Sequence, residues 1–237
     1  MIIASNLKTN LTREKTISYL MDVENFLDEI KSNQDVYVFP AQSSLSAHHG
    51  KVFQGVQNAY ATKNGAFTGE IGTEQLEEFD VKTILIGHSE RRHVLGESQE
   101  ALVEKFNFYK AQGFKILYCV GEPLDVREQS EEVMMKYLEL QYEGIDTSYE
   151  NLVIAYEPVW AIGTGLTPTL EDISKIHLKL KEKSSAPLLY GGSVKVQTAK
   201  DILACDGVDG VLVGSGALKV EDFTQMIQFA QELENKK

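Results

Sequence analysis

The sequence predicts an α/β protein of the (β/α)8 barrel class, with eight parallel strands and the functional residues gathered at their C-terminal ends. Three observations predict it. Eight short apolar runs recur along the 237 residues, the segments between them carry helical spacing, and polar residues sit just past the ends of the runs. The length is long for one ordinary core and usual for such a barrel.

The runs lie at residues 2–5, 36–39, 52–56, 83–87, 115–120, 152–156, 187–190 and 208–213. The run at 152–156 is β-branched and almost free of charge, as strands covered on both faces are. After the first run, Ile17, Leu20, Met21, Leu27 and Ile30 mark an apolar helical stripe; after the last, Phe223, Met226, Ile227, Ala230 and Leu233 mark another. Ile173, Ile176 and Leu180 form a shorter one, with Thr169 and Asp172 placed as a capping-box-like start. Strand and helix alternating eight times with short connections implies parallel strands and right-handed crossovers. Eight such units can close into a barrel or lie in an open doubly wound sheet, and periodicity does not choose. The polar residues favour the barrel. Asn6 with Lys8, His88, Glu157, Gly191-Gly192-Ser193 and Gly214-Ser215 all follow run ends, and only closure brings so many ends to one mouth. No linker interrupts the rhythm, so residues 1–237 read as one domain.

Composition sets compatible bounds. With 43% hydrophobic residues and no low-complexity tract, the chain should fold throughout. It has no apolar run long enough to span a bilayer, and Met-Ile-Ile-Ala-Ser-Asn-Leu-Lys lacks the basic start and long apolar region of a signal peptide. Two cysteines, Cys119 and Cys205, form no metal-ligand spacing and suit a reducing compartment, so a cytoplasmic location is expected. A net charge of −12 argues against nucleic acid or an anionic membrane as partner, although charge within a cleft can oppose the global sign.

Residues 155–165, Ala-Tyr-Glu157-Pro-Val-Trp-Ala-Ile-Gly163-Thr-Gly165, carry the chemistry. Glu157 follows the run at 152–156 directly, Pro158 stops the ladder, and a Gly-bearing segment follows that can fold over a ligand. A carboxylate at a strand's C-terminal end beneath a lid is where a barrel enzyme keeps a general base. His88, in Leu85-Ile86-Gly87-His88-Ser89-Glu90-Arg91-Arg92, follows the fourth run and precedes an expected helical start, whose partial positive charge disfavours imidazolium. Tyr190-Gly191-Gly192-Ser193 and Val213-Gly214-Ser215-Gly216 end the seventh and eighth runs. Either Gly pair alone can be steric; at matching ends of adjacent units they suggest a phosphate cradle of backbone N–H groups. His48, His49, His93 and His177 lie in no ligand cluster, and no metal site or cofactor is expected.

The string at 155–165 closely resembles the active-site signature of the triosephosphate isomerase family, and the resemblance extends over essentially the whole chain. It implies interconversion of dihydroxyacetone phosphate and D-glyceraldehyde 3-phosphate through an enediol, in glycolysis and gluconeogenesis, without a cofactor. It implies Glu157 as base and a neutral His88 as electrophile, an assignment taken over from the family. Asn6 and Lys8 match the family's Asn-x-Lys, with Lys8 offsetting phosphate and oxyanion charge, and Glu90 matches a supporting carboxylate. The N–H groups of Gly163, Ser193, Gly214 and Ser215 would hold the phosphate. Pro158-Val159-Trp160-Ala161-Ile162-Gly163-Thr164-Gly165-Leu166-Thr167-Pro168 would be the lid. Cys119 matches a packing cysteine outside the site.

One long region, Gln57 to about Asp80, breaks the rhythm, and a loop of that length is functional or else counts against the assignment. Phe67 at its tip has no evident local cover, and Thr-Glu-Gln-Leu-Glu-Glu at 73–78 reads as a short helix. The resemblance implies that Gly65-Ala-Phe-Thr-Gly-Glu70 docks into a second subunit, with Thr68 reaching its site, and therefore implies a homodimer.

Four departures from the family pattern stand out. Leu7 replaces a common Trp, which should affect packing only. Ser215 replaces a Gly and keeps its N–H. Pro168 replaces a small residue whose backbone N–H donates to the hydroxyl of the tyrosine matching Tyr190; proline has no N–H, so altered lid kinetics are expected. Leu170 stands where a helix-starting Pro is common. Among other readings, an aldolase would want a Lys on the sixth strand and a metal-dependent epimerase a His/Asp cluster at strand ends, and neither is present. A silent sugar-phosphate binder would have lost Glu157, His88 or Lys8, and all three remain.

Overall fold

The computed structural model describes residues 1–162 and 166–236. Strands β1 (Ile2–Asn6), β2 (Asp35–Phe39), β3 (Val52–Gln54), β4 (Thr83–Ile86), β5 (Lys115–Val120), β6 (Leu152–Tyr156), β7 (Leu188–Tyr190) and β8 (Gly210–Val213) pair in parallel in the order β3-β2-β1-β8-β7-β6-β5-β4. The two ends of that order meet where the Val56 N–H donates to Thr83 O and the Leu85 N–H to Val56 O, both at 2.9 Å. The sheet thus closes into a barrel, and each strand falls within or against one of the eight apolar runs.

Alternation along the strands separates two cores. Residues such as Ala4, Phe39, Leu85, Leu117, Ala155, Leu189 and Leu212 pack together inside the barrel. Their neighbours, such as Ile3, Val38, Ile84, Tyr118, Ile154 and Val211, face outward into a larger layer shared with the helices. Leu7 is buried in that outer layer. Continuing the inward parity past the strand ends puts Asn6 of β1, Glu157 after β6, Gly191 after β7 and Gly214 after β8 at one mouth.

Helices α1 (Arg13–Glu29), α2 (Thr73–Glu77), α3 (Gln99–Ala111), α4 (Leu124–Arg127), α5 (Glu131–Leu140), α6 (Leu170–Lys181), α7 (Val196–Leu203) and α8 (Val220–Glu234) surround the barrel. The expected start of α6 is present: Thr169 Oγ1 accepts from the Asp172 N–H at 3.1 Å. On α8, Phe223, Met226, Ile227 and Ala230 are buried as the stripe predicts.

The strand–helix alternation fails at one step. Between β2 and β3 there is only a 3-10 turn, Gln42–Ser44, because residues 40–51, which open on Pro40, are too few and too rich in Ser and His to build a crossover helix. Side chains close the gap instead. Leu45 is fully buried, the Gln54 amide donates to Ser46 O (2.6 Å), and the Glu24 carboxylate of α1 accepts from the N–H groups of Lys51 (2.7 Å) and Val52 (3.1 Å). This also corrects the reading of α1. Its packing face is Thr16, Tyr19, Leu20, Val23 and Leu27, while Ile17 and Met21 are 40% and 57% exposed. They lie on the flank between Arg13, which donates to Ser43 O, and Glu24, where a crossover helix would have covered them. About half of the roughly 1.5–3 kcal/mol that full burial of such a side chain supplies is forgone there.

The 57–80 excursion is knitted rather than loose. Tyr60 N–H donates to Ile71 O, and the N–H groups of Thr73 and Glu74 donate to Thr62 O and Lys63 O. Phe67 does have local cover, contrary to expectation: the Tyr60 ring lies 4.4 Å away between centroids. Both rings remain about 40% exposed, and Val94 and Leu95 are more exposed still.

Candidate active site

Glu157 owes its position to one extra rung of the ladder. Its N–H donates to Val120 O at 2.7 Å, continuing the β5–β6 pairing one residue beyond β6, and Pro158 then turns the chain away. The side chain points into the mouth and is almost completely buried. Gly191 makes this possible, since a Cβ there would stand 2.9 Å from Glu157 Cγ. The carboxylate is held at both oxygens: Oε2 accepts from the Ser89 N–H at 2.9 Å, and Oε1 lies 3.2 Å from His88 Nε2.

His88 follows Gly87, whose φ of +78° turns the chain out of β4. The expected helical start is a single π-helical turn, Glu90–Val94, and its Glu90 N–H donates to His88 Nδ1 at 3.2 Å. A nitrogen that accepts carries no proton, so the ring is the Nε2–H tautomer with its proton directed at Glu157. A local N–H, not a long helix dipole, sets that tautomer. Arg92 steadies the turn by donating to Gly87 O (2.8 Å), Tyr118 Oη (2.9 Å) and Cys119 O (3.1 Å).

Lys8 takes a left-handed conformation, φ +51°, which a non-glycine residue keeps only when its surroundings hold it. Here Asn6 Oδ1 accepts the Lys8 N–H at 3.0 Å, and the Gln57 amide donates to Lys8 O at 2.9 Å. The ammonium lies 2.7 Å from Glu90 Oε1 and passes over Gly214, where a Cβ would be 3.3 Å from Lys8 Cε. Ser193, Gly214 and Ser215 line one cavity of about 250 Å³ together with Asn6, Lys8, His88 and Glu157. Ser215 is exposed at its rim, so its extra side chain has room.

Of the predicted lid, Pro158–Ile162 and Leu166–Pro168 are described; Gly163, Thr164 and Gly165, and with them the predicted Gly163 N–H donor, lie outside the described residues. Trp160 Nε1 donates to Glu122 Oε1 at 2.9 Å, and Ser193 Oγ donates to Ala161 O at 2.7 Å. Glu122 is fully buried, accepts from Tyr156 Oη at 3.0 Å, and burial pushes its carboxyl up despite those bonds. At the far end Pro168 is buried, and the buried Tyr190 hydroxyl has no hydrogen-bond partner among the described residues. With no bond to lose there, Tyr190→Phe should leave unfolding stability unchanged within ~1 kcal/mol or raise it, as read by urea denaturation. A loss above that would show that the hydroxyl is engaged.

Several positioning groups escaped the sequence reading. The Ser89 N–H is a backbone donor and has no sequence signal. Glu122 did have one: Val120-Gly-Glu122-Pro123 repeats the strand-then-Glu-Pro pattern of Tyr156-Glu157-Pro158. Cys119 is buried beside the site, and burial raises its thiol well above the usual range. Thr68 is exposed on the excursion, away from this chain's own cavity lining. Among the described residues, no three of His, Cys, Asp and Glu are grouped to hold a metal, and no helix is long and apolar enough to cross a membrane.

A buried carboxylate facing a proton-bearing imidazole, beside an ammonium and a glycine-walled cavity at a barrel mouth, defines a barrel enzyme that moves protons on an anionic substrate. The comparisons narrow that class. The family described as Triosephosphate isomerase matches residues 1–230. A triosephosphate isomerase of Sulfurimonas denitrificans is 66% identical over 236 residues, covering 100% of this chain and 98% of the relative. Those of Sulfurovum sp. and Wolinella succinogenes are 55% and 53% identical, each across 96% of this chain and 99% of the relative. The chain belongs to the triosephosphate isomerase family.

Proposed function

We infer that this chain interconverts dihydroxyacetone phosphate and D-glyceraldehyde 3-phosphate, with Glu157 as base and His88 as electrophile. The observation that carries the residue roles is the 3.2 Å contact of His88 Nε2 with Glu157 Oε1 on the floor of the cavity. These two groups lie within hydrogen-bond reach of each other. A substrate carbonyl oxygen would take over the Nε2–H bond, and the carboxylate would turn to the adjacent carbon. Glu157 removes a proton from that carbon and His88 supplies one to the oxygen, giving the enediol; Glu157 then returns its proton to the neighbouring carbon while His88 Nε2 takes back the proton of the other enediol hydroxyl, leaving the new carbonyl. Lys8 stabilises the developing oxyanion, Asn6 holds the Lys8 backbone, and Glu90 positions both Lys8 and the His88 tautomer. The N–H groups of Ser193, Gly214 and Ser215, with Gly163, hold the phosphate. Residues 158–168 close over the intermediate, excluding water and suppressing phosphate elimination.

The chain works as a homodimer in the cytoplasm on this reading. Phe67 and Tyr60 form an exposed apolar knob, and a groove bordered by Val94, Leu95 and Glu70 runs beside Lys8 and His88. Residues 65–70 of a second copy fit such a groove, with Thr68 reaching the neighbouring site. Both cysteines are free thiols, in keeping with a reducing compartment. A mass of one chain in light scattering at assay concentration would overturn the dimer.

The deciding experiment is isomerisation of D-glyceraldehyde 3-phosphate by metal-stripped protein, read by coupled reduction of the product. The benchmark, which comes with the family and not from this site, is kcat/KM near ~10⁸ M⁻¹s⁻¹. No activity from folded protein would reject the reaction.

A further inference from the structure

We propose that Lys195 is a substrate-steering residue, whose ammonium on the cavity rim speeds the arrival of a phosphorylated dianion. The inference rests on the anionic substrate of the proposed function. Lys195 lines the same cavity as Glu157 and Ser193, two residues beyond Ser193, and is exposed to solvent. Its backbone is clamped at the start of α7: its N–H donates to Thr198 Oγ1 at 3.2 Å, and its C=O accepts from the Thr198 N–H at 3.0 Å. The root of the side chain is therefore fixed, while its ammonium makes no ion pair among the described residues.

Charge at the mouth gives this cation its role. Lys8 is already matched by Glu90 at 2.7 Å, and Glu157 adds a further carboxylate. Those three groups leave the mouth at a formal charge of minus one, within a chain of net charge −12. A dianion would be repelled both locally and globally. Lys195 brings the mouth to neutrality and places the positive charge at the glycine-walled end, where the phosphate must arrive. Being exposed, it acts through the field and not through a desolvated contact, so its effect must be screened by salt. In an enzyme working near the encounter limit, kcat/KM reports arrival and kcat does not.

Lys195→Ala and Lys200→Ala should be compared at ionic strengths of about 0.01 M and 1 M, where screening lengths are roughly 30 Å and 3 Å. Lys200 lies on the same helix, paired with Glu232 at 2.6 Å and outside the cavity lining, so its loss changes net charge equally. The Lys195 variant should lose about threefold to tenfold in kcat/KM at low salt, at the low end of what focused cleft fields deliver, and recover to within about twofold at high salt. Its kcat should stay within about twofold, and the Lys200 variant should match the parent throughout. Binding of inorganic phosphate, followed by calorimetry, should weaken by a similar factor at low salt in the Lys195 variant alone. Equal behaviour of the two variants, or a deficit that persists at high salt, overturns the steering role. An inactive parent would instead reject the reaction assignment, and phosphate calorimetry would still test Lys195 by itself.

Discussion

Glu157→Asp should lower kcat by about a hundredfold, and Glu157→Gln by about 10³-fold or more, with both proteins folded as the parent is. The shorter acid keeps the charge but draws the carboxylate back by roughly one ångström, the scale at which near-attack geometry is lost. The amide removes the base altogether while keeping the side chain's shape. Shape matters here because the Glu157 Cγ packs against Gly191 and both carboxylate oxygens are engaged, by the Ser89 N–H and by His88 Nε2. In the Gln variant the side-chain oxygen can still accept from Ser89, but the amide NH2 then meets His88 Nε2–H, so stability should fall by about 1–3 kcal/mol. A fall in kcat of that size in protein that is still fully folded separates chemistry from architecture. An unchanged kcat in the Asp variant would remove Glu157 from the role of base.

The eight strands were legible because burial on both faces leaves little but apolar residues in each run, and because inward parity carries each strand end to the mouth. Asn6, Lys8, His88, Glu157, Ser193, Gly214 and Ser215 could be gathered from their positions after the runs, and the structure lines one cavity with them. Other features depend on what lies across space. The stripe read on α1 assumed a neighbouring crossover helix, and its absence leaves Ile17 and Met21 uncovered while Glu24 caps the shortened connection. Phe67 was judged without its partner, since Tyr60 meets it only through the fold of the excursion. The tautomer of His88 turns on a backbone N–H, and backbone donors leave no mark in a residue string. Pro168 is the opposite case. A missing N–H is written in the residue itself.

Acid should destabilise the protein through His177, which is fully buried on α6 with its ring between Tyr156 and Tyr190. Burial lowers its pKa to about 4 from 6.5, against the raising effect of the bond between Nδ1 and Gly207 O at 3.2 Å. That bond puts the proton on Nδ1, and Nε2 is buried without a partner among the described residues, so protonation would strand a charge. The folded protein keeps the ring neutral down to about pH 4, whereas the unfolded chain takes up the proton near 6.5. Between those values the unfolded state binds more protons, so stability falls as pH drops, beginning near 6.5 and completing below about 4. At 1.36 kcal/mol per pKa unit the loss is roughly 3 kcal/mol. Glu122 acts in the opposite sense: its raised pKa weakens the fold as pH rises above 4.5, so the raw profile is a composite. His177→Gln isolates the histidine, because its amide can still donate to Gly207 O but does not titrate. Between pH 7 and pH 4 the parent should lose about 3 kcal/mol more than this variant, in urea unfolding at fixed protein concentration. Parallel profiles would mean that the buried ring does not set the acid limit of the fold.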